Sequence, residues 1–171
     1  MRSRLVPCCA AAALAVLLAA ATAESRENSS ELYREGARLA MEGRLDEAIP
    51  VFRKVVEISP YYCLGYYGLG KACLYRGGML DEAIRNLQTA VKLDRRLVRG
   101  HFYLGMAYFM ARRYMDAAFS FKSAYAYDDT YIEALYNLGV VYEIIERDYD
   151  SKVYYGRYLD EKYKVEEDIT F

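Results

Sequence analysis

Between residues 29 and 158, apolar side chains recur three and four places apart, and the pattern restarts every 34 or 35 residues. Leu135, Leu138, Gly139 and Tyr142 share one face of a helix of 3.6-residue period, as do Ala48, Phe52 and Val55. Each restart holds two such runs with a short turn between them, which predicts helix–turn–helix units. Two small-residue series keep the same beat. Gly36, Gly70, Gly105 and Gly139 are spaced by 34, 35 and 34 residues, and Ala48, Ala83, Ala117 and Ser151 follow them by twelve or thirteen. Independent series sharing one period are the signature of a repeat architecture.

The turns carry consistent chemistry. Gly43 in the first unit, and Gly77 with Gly78 in the second, fall just past a helix end, where a left-handed residue closes the last turn. Asp46, Asp81 and Asp116 fall in the first turn of the second helices, where a carboxylate favours the helix dipole. Pro50 lies inside a second helix and is expected to bend it or remove a backbone hydrogen bond.

The stretch HFYLGMAYFM, residues 101–110, holds eight apolar or aromatic residues. As a helix it is greasy almost all round and must be covered on more than one side. Glycine costs about 1 kcal/mol in a helix relative to alanine, so Gly105 predicts a close helix crossing that a side chain would push apart. With His101 at zero and about 100° per residue, Leu104, Gly105 and Tyr108 form the packing face. Phe102, Met106, Phe109 and Met110 fall between about 80° and 180° and form a second apolar face.

This pattern closely resembles the tetratricopeptide repeat. That motif has a bulky residue at position 4, leucine then a small residue at 7 and 8, and a large residue at 11. Alanine follows at 20, an aromatic at 24 and alanine at 27. The units are 29–62, 63–97, 98–131 and a degenerate 132–158, in which Ser151, Tyr155 and Tyr158 replace the expected alanine, aromatic and alanine. Glu35 replaces the usual leucine of the first unit. A flexible start over 24–28 and a polar cap over 159–171 complete the expected organisation. The resemblance implies an all-α, right-handed superhelical stack, three units clear and the fourth drifting.

It also implies a concave groove, lined from positions 5, 9, 12 and 13, where family members hold a partner peptide. Here those places give Tyr33 in the first unit, Tyr67, Lys71, Leu74 and Tyr75 in the second, and Phe102, Met106, Phe109 and Met110 in the third, with Arg99 as a further polar point. The fourth supplies Tyr136, Val140 and Ile144. Position 5 is aromatic throughout (Tyr33, Tyr67, Phe102, Tyr136), so the expected groove is apolar and centred on units two and three. The basic clamp by which chaperone-tail binders of the family grip a carboxylate is not matched: its places hold Tyr33, Ala37 and Tyr103, with Arg99 alone suitable. Two readings follow. One is an adaptor or scaffold that holds a partner protein or peptide, with a role in cell-envelope assembly. The other is a structural subunit whose copies self-associate as a homo-oligomer through the same groove.

Composition narrows the rest. Apolar content of 54% with 27% charged residues excludes a disordered chain, and a net charge of −1 gives no electrostatic footprint for nucleic acid. Arg2 and Arg4, the uncharged apolar run from Leu5 and the small residues at 21–23 read as a cleavable export signal over 1–23. Export implies a periplasmic or extracellular location. A retained membrane anchor, or lipidation at Cys8, are the alternatives, and membrane contact is expected only in those cases. Cys63 and Cys73 sit ten residues apart in one predicted helix, about 15 Å, too far to bridge. His101 is the single histidine, so no multi-histidine metal site forms, and its packing-face position suits a core role. No phosphate-binding loop, nucleophile motif or cofactor signature is present, and the expectation is a non-enzymatic protein without cofactor or metal.

Overall fold

A computed structural model describes residues 27–169, with side chains as far as residue 164; the predicted leader lies outside the described residues. Eight helices are described: α1 (27–41), α2 (Leu45–Ile58), α3 (Cys63–Arg76), α4 (Leu80–Leu93), α5 (Val98–Met110), α6 (Tyr114–Tyr127), α7 (Glu133–Ile144) and α8 (Asp148–Ile169). From α2 onward each helix packs on its neighbours in chain order, with α3 and α5 also meeting. The result is an all-α solenoid of four helix pairs.

The period in the glycines has a single cause. A Cβ added to Gly36, Gly105 or Gly139 would lie 2.9, 2.7 or 2.6 Å from a ring carbon of Phe52, Phe121 or Tyr155, and one on Gly70 would lie 2.7 Å from Leu87. The close neighbour is thus the position-24 side chain on the second helix of the same unit. Phe52, Leu87 and Phe121 are fully buried, so their rings and methyls have nowhere to retreat. Beside them Ala48, Ala83 and Ala117 are completely covered and Ser151 nearly so. Between units the logic repeats one step on: Gly65 sits on Val55 and Val56, and Gly100 on Val91 and Leu97.

The turns match expectation in units one and two and depart from it afterwards. Gly43, Gly77 and Gly78 have φ of 76°, 74° and 70°. The same left-handed place is held by Arg112 (φ 58°) and Glu146 (φ 57°) in units three and four. In units one, three and four the amide of the next residue closes the turn: Arg44 N–H to Leu39 O at 2.9 Å, Arg113 to Tyr108 at 2.9 Å and Arg147 to Tyr142 at 2.8 Å. These are the six-to-one bonds of a helix stop. The closure holds a charged, straight-chain residue where glycine is at ease.

Pro50 is exposed and α2 continues through it to Ile58, so the ring forfeits a hydrogen bond without ending the helix. Two expectations about the ends are corrected. Residues 27 and 28 already belong to α1 and are not part of a flexible start. Residues 159–169 continue α8, which reaches 22 residues against 14 in α2, α4 and α6, rather than folding into a separate cap. Their charged character suits a helix running on into water. Both thiols are free, Cys73 being fully buried. His101 serves structure: its Nε2 lies 2.9 Å from the Arg95 carbonyl and its ring rests 5.4 Å from that of Tyr127.

Two substitutions test this account with opposite signs. Gly105→Leu should destabilise by about 3 kcal/mol or more, because overpacking against an immovable ring adds to strain, and a thermal melt reads it. Arg112→Gly should stabilise by about 0.5–1 kcal/mol, since relief of a left-handed side chain outweighs the entropy gained by the unfolded chain.

Candidate functional site

On the face formed by α1, α3 and the start of α5 lies a cleft of about 560 Å³. Phe52 and Gly68 form its floor, and Tyr33, Tyr67 and Tyr75 its aromatic walls. Ala37, Ala40 and Met41 line the α1 side, and Lys71 and Arg99 are the charged groups among its lining residues. Gly68 makes the cleft. A Cβ there would collide with the Phe52 ring, and with no side chain α3 leaves open space above that ring.

Unit three has Tyr103 at the equivalent place, and the outcome reverses. Its ring lies 5.9 Å from Tyr67 and 6.0 Å from Tyr75, with the Lys71 ammonium 4.8 Å above it. Tyr103 therefore fills the space between α3 and α5 that Gly68 leaves open between α1 and α3. The aromatic cluster ends the cleft and gives it a polar rim of hydroxyls.

The predicted residues divide accordingly. Tyr33, Tyr67, Lys71, Tyr75 and Arg99 line the cleft. Leu74 does not: it is 7% exposed and belongs to the core, being turned away from the hollow by one helical step. Phe102 lies against Phe121 and Tyr131, at 5.6 and 5.1 Å, while Met106 and Phe109 are half-buried against the core. Met110, Tyr136 and Ile144 are exposed beyond the cleft, and Val140 is half-buried. The described cleft is thus centred on units one and two, not two and three. Tyr103 and Gly68 were the deciding residues that helical spacing missed. The signal available was their shared position in consecutive units, glycine in one and a large ring in the next.

The aromatic pairs of position 5 differ between units. Tyr33, Phe102 and Tyr136 each tilt onto the position-24 ring of their own unit, Phe52 at 5.8 Å, Phe121 at 5.6 Å and Tyr155 at 5.7 Å. Unit two carries Leu87 there, so Tyr67 has no such ring and turns to Tyr103 instead.

Burial raises the phenols of Tyr33, Tyr67 and Tyr131 above their ordinary value, and a hydrogen bond with Tyr103, followed by burial, raises that of Tyr75. All stay neutral at physiological pH, leaving Lys71 and Arg99 to give the cleft a positive character. Cys73 is pushed up to about 11, chiefly by burial, and is no nucleophile at neutral pH. Among the described residues no group of three or more potential metal ligands comes together.

A solenoid of paired helices with an open, mixed aromatic and cationic cleft defines a helical-repeat interaction scaffold. Residues 73–111 match a family model described as TPR repeat, and residues 42–62 one described as tetratricopeptide repeat. Among solved structures the chain is similar to MamA, at 28% identity over 74% of each chain with a TM-score of 0.70. PilF of Pseudomonas aeruginosa is 21% identical, with 81% of this chain and 63% of that one covered and a TM-score of 0.72. The first tetratricopeptide domain of Spaghetti (RPAP3), solved with an HSP90 peptide, is 20% identical over 70% of this chain and 94% of its own, with a TM-score of 0.67. The matched residues carry tetratricopeptide repeats, and the fold with its neighbours supports a protein–protein interaction scaffold.

Raised phenol values carry a stability consequence. A group whose folded value lies above its unfolded one stabilises fully below the unfolded value, and that contribution is lost as pH climbs through the folded value. The melting temperature should therefore fall once pH passes about 10, the ordinary tyrosine value. Phenolate absorbance of the buried tyrosines should appear together with unfolding; a smooth titration with no loss of structure would contradict their burial.

Proposed function

We propose that the chain is an exported adaptor that holds an extended segment of a partner protein in the cleft between α1 and α3. The observation that carries this reading is the cleft's lining: three tyrosines and Met41 for contact area, with Lys71 and Arg99 as its charged points. Tyrosine gives large area at small entropic cost and a hydroxyl for backbone groups. Tyr67 is already covered in the free chain, so the gain comes from Tyr33, Tyr75 and Met41 at ~1.5–3 kcal/mol each, which after association costs supports a weak, readily reversible grip. Charge complementarity favours a segment that mixes apolar and acidic residues. The peptide held by the Spaghetti domain supports the mode of binding; the missing clamp residues argue for a different grip on it.

Export rests on the apolar segment over 1–23, and a role in assembling envelope components is the setting that best joins export to peptide capture. Amino-terminal sequencing of the chain recovered from its natural host should begin at Glu24. A peptide library panned against the chain should enrich apolar segments bearing acidic residues. Tyr75→Ala and Arg99→Glu should each weaken the best of them about tenfold, equivalent to about 1.4 kcal/mol, without moving the melting temperature. Enrichment of no peptide, or affinity indifferent to both changes, would sink the reading.

A further inference from the structure

The glycines inside α1, α3, α5 and α7 all have a neighbour at or within 2.9 Å of where a Cβ would stand. Gly156, in the middle of α8, has nothing within 4 Å. A mid-helix glycine costs about 1 kcal/mol against alanine, and among the described residues nothing approaches Gly156 closely enough to account for it.

Its surroundings point outward. Ser151, Tyr154, Tyr155 and Tyr158 face the body of the stack, where Tyr154 stacks on Tyr142 and Tyr155 lies against Gly139. The opposite side of α8, with Gly156 at its centre, carries Tyr149 and Tyr163 seven residues to either side, exposed by 81% and 59%. Val153 and Leu159 stand three residues to either side, exposed by 39% and 46%. Lys152 and Asp160 stand four residues to either side, and both are exposed. The face reads the same outward from its centre in both directions, except that the charges at equal distance are opposite.

We propose that two copies of this chain associate through α8, the helices crossing antiparallel at Gly156 about a two-fold axis. On such an axis a residue k places before the centre meets the residue k places after it on the other copy. Lys152 then meets Asp160 of the other copy, twice over, Val153 meets Leu159, and Tyr149 meets Tyr163. Gly156 meets itself, and its missing side chain lets the two backbones come close. Head-to-tail stacking does not fit, because α1 presents the exposed charged residues Glu31, Arg34, Glu35 and Arg38 at the opposite end. A single helix crossing buries a small interface, in the range of weak and transient association. The cleft between α1 and α3 lies at the far end of the stack, so it stays open in the dimer.

Sedimentation of the full chain, purified after expression with its leader, tests this. The parent should pass from monomer to dimer at micromolar concentration. Gly156→Gln fills space that is empty in the monomer, so the melting temperature in dilute solution should hold or rise while the dimer dissociation constant increases at least about tenfold. Asp160→Lys should weaken the dimer by facing lysine with lysine, and adding Lys152→Asp to it should restore parental affinity. A parent that stays monomeric, a dimer indifferent to Gly156→Gln, or a charge swap that fails to restore affinity overturns the proposal. So does a dimer that dissociates on Tyr75→Ala, which would place the interface in the cleft.

Discussion

The spacing of the stack is set by a bare backbone pressed against a buried side chain. In every unit a glycine of the first helix rests on the position-24 residue of the second, closer than any Cβ would permit. In the first three units the two helices are locked at that separation because neither side can yield: the glycine has no side chain to move, and Phe52, Leu87 or Phe121 is fully buried. Four helical glycines forgo about 4 kcal/mol of intrinsic propensity. Burial of a single large side chain recovers about 1.5–3 kcal/mol, so the arrangement is favourable whenever the ring is fully covered. Phe52 and Phe121 are.

That one contact propagates to the surface. Where position 24 is a ring, the position-5 aromatic of the same unit leans on it, as Tyr33, Phe102 and Tyr136 do. Where position 24 is Leu87, the position-5 residue Tyr67 is released toward its neighbour in the next unit and helps build the tyrosine cluster at the cleft's end. Leu87, a residue below the surface, thus leaves the Tyr67 ring to pair across units.

Sequence periodicity exposed most of the architecture because repeats announce themselves through what they cannot vary: the glycine, the small residue at position 20 and the turn. The first three helix pairs fall inside the expected units to within a few residues, and the fourth runs eleven residues past its expected end. What it concealed depends on relations between neighbouring helices. Leu74 and Tyr75 are consecutive and about 100° apart on the wheel, and the first is core while the second lines the cleft, since the boundary is drawn by the helix opposite. Gly68 and Tyr103 have meaning only together, as the same place opened in one unit and filled in the next. Arg112 and Glu146 show a left-handed turn dictated by closure of the helix end rather than by the residue occupying it. The continuation of α8 past Tyr158 was hidden for a simpler reason. A charged segment suits a solvated helix and a polar cap equally well.

The two ends of the stack are chemically unlike, and this constrains how such a protein can assemble. A solenoid whose end faces were both apolar and complementary would add copies without limit, because a heterologous contact that does not close makes filaments. Charged residues along α1 block that route at one end. At the other, α8 offers a self-complementary face, which satisfies itself after a single pairing and then stops. Closure at two leaves two clefts on one particle. Linking two weak sites raises the effective concentration of the second once the first is engaged, with a gain set by the distance between them rather than by new contacts. A cleft of modest affinity then discriminates by valency. A partner presenting one segment is released quickly, whereas one presenting two at the matching span is retained.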